Sequence, residues 1–233
     1  MSRAPTVTFD VYSALVDSRT GGSTALAELF TGEAWPPDPE AVFVAWDRRN
    51  KTLHRTTTEF VGFRALAHRA MRELFDDENL PGDPVTATDH LLASLPDWPL
   101  WPDADAGVRQ VARRHPVALL SNIDDDLLRA TDVCSWVEDR LTSEQARVYK
   151  PHAGLYLAAR ARFGDDLIHV PASSRDTRGA LEAGLSVVRV RRPGHELDPS
   201  GPRPTHEVDD LRDLPDVLAR LTAARGPRTG PDR

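Results

Sequence analysis

Thr6-Val7-Thr8-Phe9-Asp10-Val11-Tyr12-Ser13-Ala14-Leu15 is the stretch whose reading decides the fold. Its first four residues alternate threonine with Val7 and Phe9, a pattern that predicts a short strand ending at Asp10. The strand hands a carboxylate to a loop. Beyond it, Gly21 to Ser23 precede a helical period over Thr24 to Phe30, and Gly32 to Pro39 break that period, so the first helix is expected to end near Thr31. From about Asp38 to about Leu95 the spacing predicts three helical segments and no strand, with Val42, Trp46 and Leu53 on one face. Pro96 to Pro102 is rich in proline and tryptophan, and Val108, Val111 and Ala112 then mark a helix running to His115.

The rest alternates. Strands are predicted at Val117 to Leu120, near Leu141, at Leu167 to Val170 and at Val187 to Val190. Helices are predicted between and after them, at Asp125 to Ala130, Gly154 to Phe163, Arg175 to Ala183 and Pro215 to Leu221. Such alternation implies an α/β fold with a Rossmann-like parallel sheet and helices on both faces. The expected organisation is a core of residues 1–16 and 100–224, a helical insertion over 17–99 and a flexible tail over 225–233.

Composition narrows the function classes. With 40% hydrophobic and 28% charged residues the chain is ordinary globular protein. No apolar run approaches the roughly 20 residues of a membrane span, and Met1 to Pro5 show no export signal, so a cytoplasmic protein is expected. The single Cys134 excludes an intramolecular disulfide and a cysteine-rich metal site, and fits a reducing compartment. A net charge of −7 argues against nucleic acid as a partner. Arg189, Arg191 and Arg192 form a local basic cluster, read either as a contact for an anion or as solvated surface.

Ligands of an open parallel sheet sit beyond the carboxyl ends of its strands, which directs attention to four places. Asp10 and Tyr12 follow strand one, and Ser121-Asn122 follow the next. Val148-Tyr149-Lys150-Pro151 precede a helix, and Ser173-Ser174-Arg175-Asp176 follow the strand ending at Val170. Taken singly, Asp10 and Asp176 read as capping acids, Ser121 as a cap, and Lys150 as a solvated lysine.

In this order the four places resemble the signature of the haloacid dehalogenase superfamily: an aspartate after strand one, a serine or threonine after strand two, a lysine, and a final acidic motif. Ser143-Glu144 and the run from Gly179 to Gly184 match that family's habits as well, and the helical insertion resembles its cap domain. The resemblance implies Asp10 as nucleophile, forming an ester or acyl phosphate that water later cleaves. It implies Lys150 as the cation that keeps Asp10 ionised, Ser121 and Asn122 as donors to a substrate oxyanion, and Asp176 as a group that orients Lys150 or positions the water.

Two features point to the 2-haloacid dehalogenase branch. Phosphatases of the superfamily place a second aspartate two residues after the nucleophile, to protonate a leaving alkoxide; here Tyr12 stands there, and a halide needs no proton. Ala172 occupies the place of an early acid in the last motif, which weakens the Mg²⁺ site that Asp10 and Asp176 would otherwise share. Asp124 to Asp126 offer another ligand or a helix start. Arg49, continuing the row Val42, Trp46, Leu53, is the expected partner for a substrate carboxylate, alongside Tyr12 and Ser173. Departures are also present: Ser13-Ala14 replaces the branch's Gly-Thr and so removes a hydroxyl near the nucleophile, Pro171 and Ser173 stand for its Ser and Asn, and Trp46-Asp47 for its Trp-Arg.

The resemblance thus implies a hydrolase of a small anionic 2-substituted acid, needing no certain cofactor. A Mg²⁺-dependent phosphatase of a small metabolite and a catalytically degenerate binding protein on the same fold stay open beside it. The resemblance is equally compatible with a homodimer.

Overall fold

β1 (Val7–Phe9) lies between two parallel neighbours, β2 (Val117–Ser121) on one side and β4 (Ile168–Val170) on the other, with Phe9 level with Leu119 and Val170. The computed structural model describes residues 4–29 and 38–224. β3 (Asp139–Thr142) extends the sheet beyond β2, while β5 (Ser186–Val190) and β6 (His206–Val208) extend it beyond β4. All pairings are parallel and the order is β3-β2-β1-β4-β5-β6. The chain therefore leaves β1 towards opposite halves of the sheet, and the crevice at that reversal is where such folds bind ligands.

The connecting helices are α1 (Ser18–Leu29), α2 (Pro39–Thr56), α3 (Phe63–Glu78), α4 (Pro84–Ala93), α5 (Ala104–Ala112), α6 (Asp125–Arg129), α7 (Ser143–Ala146), α8 (Ala153–Phe163), α9 (Ser174–Glu182) and α10 (Leu214–Ala224). Phe9, Leu119, Ile168 and Val188 are sealed from solvent between the two helical layers. Burying each such side chain contributes roughly 1.5–3 kcal/mol. The central strands are consequently buried on both faces, the polar Thr8 and His169 included.

The insertion is helical, as its period predicts. α1 packs on α2 and α4, α2 on α3, and α3 on α4, with Val42, Trp46, Leu66, Met71, Leu74 and Leu91 between them. Start signals sit where they are needed. Asp38 caps α2 by accepting from the amide of Glu40, and Asp83 caps α4 through Val85 and Thr86, each followed by a proline in the first turn. Asn79, at φ 48°, closes α3 in the left-handed conformation.

Several expectations need correction. α1 starts at Ser18, not after Ser23, so Gly21 and Gly22 lie inside a helix. A Cβ on Gly21 would stand 2.4 Å from Trp98, and one on Gly22 would stand 2.1 Å from Phe43. They are glycine because rings press on the helix, not because the chain breaks there. The expected helix end near Thr31, most of the break from Gly32 to Pro39, and the tail over 225–233 lie outside the described residues. β6 has no counterpart in the sequence reading, because its three residues His206-Glu207-Val208 offer one apolar side chain. No helix among the described residues is long and apolar enough to cross a membrane.

Candidate active site

Asp10 follows β1 directly, and its amide still donates to Val170 O at 3.1 Å, so the carboxylate projects from the last rung of the sheet. Lys150, in the turn before α8, reaches it through Nζ at 2.5 Å from Oδ1. The same ammonium donates to Asp176 Oδ2 at 2.6 Å and to Leu120 O at 2.9 Å. The exposures of Asp10, Lys150 and Asp176 are 5%, 5% and 4%, so this is a buried row of alternating charges.

Burial works against the Lys150 ammonium, but Asp10 and Asp176 outweigh it and hold its pKa above the ordinary value. Burial likewise opposes ionisation of Asp176. Lys150 and His169 overcome it and hold that carboxyl well below the usual range. Asp176 has both oxygens engaged: Oδ2 by Lys150, and Oδ1 by the Tyr156 hydroxyl at 2.7 Å and His169 Nε2 at 3.1 Å. His169 is itself fixed from behind by Thr8 Oγ1 at 2.9 Å. Asp176 is thus the fixed end that sets Lys150.

The loop after Asp10 supplies the hydroxyl that Ala14 lacks. Ser13 Oγ donates to Asp10 Oδ2 at 2.7 Å, so the hydroxyl missing at Ala14 is supplied one residue earlier. The serine adopts φ 130°, a conformation normally left to glycine. Trp101 Nε1 donates to Ser13 O at 3.0 Å, and Arg192 donates to Ala14 O at 2.8 Å, pinning the turn on both sides.

The site opens into a cavity of about 760 Å³ between the ends of β1, β2 and β4 and the helices α1, α2 and α4. Tyr12, Phe43, Trp46 and Trp98 form much of its apolar wall. Tyr12 packs edge-on to Trp98 at 5.9 Å, and its hydroxyl is buried without a partner. Burial pushes that hydroxyl far above its ordinary pKa. His54, stacked on Tyr149 at 4.1 Å, is lowered to about 3 by burial first and then by Arg175 and Lys51. It is a neutral ring at physiological pH.

Other sequence candidates fare unevenly. Ser121 lines the cavity with its hydroxyl buried and unpartnered, ready for a ligand. Asn122 lines it too, but its side chain clasps the backbone of Lys150, accepting from the amide at 2.7 Å and donating to the carbonyl at 2.9 Å. It places the lysine. Ser173 caps α9, accepting from the amide of Asp176 at 3.4 Å. Arg49 is not among the cavity's lining residues: its guanidinium bonds Asp77 and Glu78 at the end of α3, at 3.2 and 3.3 Å. Helical period chose its face, but carboxylates on the neighbouring helix claimed its charge. The basic cluster is likewise committed, Arg189 to Glu207, Arg191 to Asp209 and Arg192 to Asp103.

The donor set does not fit Mg²⁺. The cation between Asp10 and Asp176 is Lys150, and Asp124 accepts from the amides of Phe63 and Arg64 at 2.7 and 2.9 Å, capping α3 from across the fold. Ala172 leaves the remaining place without an oxygen. Sequence reasoning missed Tyr156, His169 and the role of Ser13. Tyr156 reaches Asp176 because α8 packs on α9, and His169 is held there by Thr8 because β4 pairs with β1.

This parallel sheet, with a buried aspartate at its switch point and a lysine bridging it to a second acid, has the fold of solved haloacid dehalogenases. An L-2-haloacid dehalogenase from Xanthobacter autotrophicus, with chloropropionic acid covalently bound, superposes with a TM-score of 0.80 at 20% identity, covering 97% of this chain and 100% of that one. The defluorinating L-2-haloacid dehalogenase Rha0230 gives 0.76 at 21% identity, covering 93% and 95%. These likenesses show the fold. In sequence, the chain resembles the 2-haloacid dehalogenase branch. It is 29% identical over 226 residues to an (S)-2-haloacid dehalogenase of Pseudomonas putida, spanning 91% of this chain and 96% of the relative. It is 24% identical over 223 residues to one of Burkholderia cepacia, spanning 91% and 94%. No protein-family model matches the chain.

Proposed function

We propose that the protein is a hydrolase that displaces halide from small 2-haloacids through an ester on Asp10. The observation that carries this reading is the Lys150 ammonium 2.5 Å from Asp10 at the floor of an aromatic-walled cavity, with Tyr12 where a phosphate-ester enzyme would need an acid. An Asp10 oxygen attacks C2 of the substrate, a C–O bond forms, and the halide leaves with the electron pair of the broken C–X bond. Water then attacks the acyl carbon of the ester. The 2-hydroxy acid departs with the oxygen that Asp10 supplied, Asp10 keeps the water oxygen, and one proton is released overall. Ser13 and Lys150 fix one oxygen each of the attacking carboxylate, so that it presents a defined edge. The half-buried Cys134 accords with a reducing, cytoplasmic setting.

The test is halide release from a panel of (S)- and (R)-2-haloacids, with Asp10→Asn as control. Under single turnover in ¹⁸O-water the label is expected in Asp10 and not in the product. Metal-dependent hydrolysis of p-nitrophenyl phosphate, or halide release that survives Asp10→Asn, would overturn the reading.

A further inference from the structure

A 2-haloacid brings a carboxylate one bond from the carbon under attack, so a cation beside Asp10 would stabilise its binding. Of the cationic side chains at or near the cavity other than Lys150, three are committed. Arg19 pairs with Glu40 at 2.8 Å, Lys51 with Asp47 at 2.5 Å on the next turn of α2, and Arg49 with Asp77 and Glu78. Arg175 is different. It lines the cavity from the first turn of α9, forms no ion pair among the described residues, and its Nε is buried with no partner.

We propose that Arg175 is the anion anchor of this site and holds the substrate's carboxylate, a role that rests on the hydrolase reading above. Its position suits the task. It is the residue before Asp176, whose carboxylate fixes Lys150 against Asp10, so anchor and nucleophile hang from one rigid row. It lies within electrostatic reach of Asp47 and Arg55 on α2, and it contributes to keeping His54 neutral. Asp47 stands in the cavity wall beside these groups and would repel a carboxylate, but Lys51 neutralises it. Ser121, with a buried, unpartnered hydroxyl on the same wall, can donate to a second carboxylate oxygen. The anion site is thus on the sheet side of the cavity, at the end of β4, and not on the α2 face where the helical period had placed it.

The experiment measures calorimetric binding of (S)-2-chloropropionate and of its neutral amide to Asp10→Asn protein, which cannot turn the acid over. The acid is expected to bind more tightly than the amide. Adding Arg175→Met should weaken the acid about ten- to hundredfold, the worth of a charge-assisted hydrogen bond, and leave the amide unchanged. Arg175→Lys should fall between, and Arg49→Met, outside the cavity, should change acid binding less than threefold. Equal binding of acid and amide, or undiminished acid affinity in both Arg175 variants, overturns the assignment. Halide release by the wild type reports the reaction separately: Arg175-dependent acid binding without halide release keeps the anchor and removes the hydrolase reading.

Discussion

Replacing Ser13 separates two quantities that the turn after β1 combines. Its hydroxyl donates to Asp10 Oδ2 at 2.7 Å, a bond to a charged acceptor that contributes about 1.5–3 kcal/mol. Its backbone at φ 130° costs about 1–3 kcal/mol relative to a residue at ease there. Ser13→Ala loses the bond and keeps the strain; Ser13→Gly loses the bond and relieves the strain. Both variants should form the Asp10 ester about ten- to hundredfold more slowly, since the carboxylate then has one oxygen free to swing. They should differ in stability, with the glycine variant about 1 kcal/mol above the alanine variant. For a chain of this size that is about 2–4 °C in Tm. Rapid-quench halide release under single turnover reads the first effect, and scanning calorimetry reads the second. A glycine variant as fast as wild type would refute the view that this hydroxyl orients the nucleophile. An alanine variant as stable as the glycine variant would refute the strain.

Two further outcomes follow from the packing and the charges. Gly22→Ala places a methyl 2.1 Å from the Phe43 ring and should destabilise the protein by about 1–3 kcal/mol, visible as a lower urea midpoint with an unchanged m-value. His54 has a folded pKa of about 3 against 6.5 in the open chain. Between those values the unfolded state takes a proton that the folded state refuses, so this contribution to stability is complete above pH 6.5 and is lost as pH falls towards 3. From pH 6.5 to about pH 4 the loss is about 3 kcal/mol. His54→Gln should flatten the profile over that window, as read by urea melts at stepped pH.

Asp10, Lys150 and Asp176 were legible in the sequence because the end of a buried parallel strand is a place that local pattern can find. Each acid or ammonium follows an apolar run at a fixed point in the βα alternation. The insertion was legible as helices for the same reason. What the pattern could not reach was partnership. Arg49 and Arg175 are both arginines at helical positions, and only tertiary placement shows that Asp77 and Glu78 claim the first while the second forms no ion pair among the described residues. Gly21 and Gly22 read as a break because glycine disfavours helices, and the pressure of Trp98 and Phe43 that overrides it comes from distant parts of the chain. His169 reads as one more strand residue until β4 is seen beside β1, where it locks Asp176 from behind.

Asp10, Lys150 and Asp176 stand in an alternating row at the buried floor of the cavity. In the proposed cycle, esterification of Asp10 takes its charge out of that row and leaves Lys150 and Asp176 as a balanced pair, while the substrate's own carboxylate, tethered through the ester, keeps one negative charge further out in the cavity. The intermediate thus moves a negative charge from the buried floor towards the open side, and the second half, in which water restores the carboxylate, brings it back.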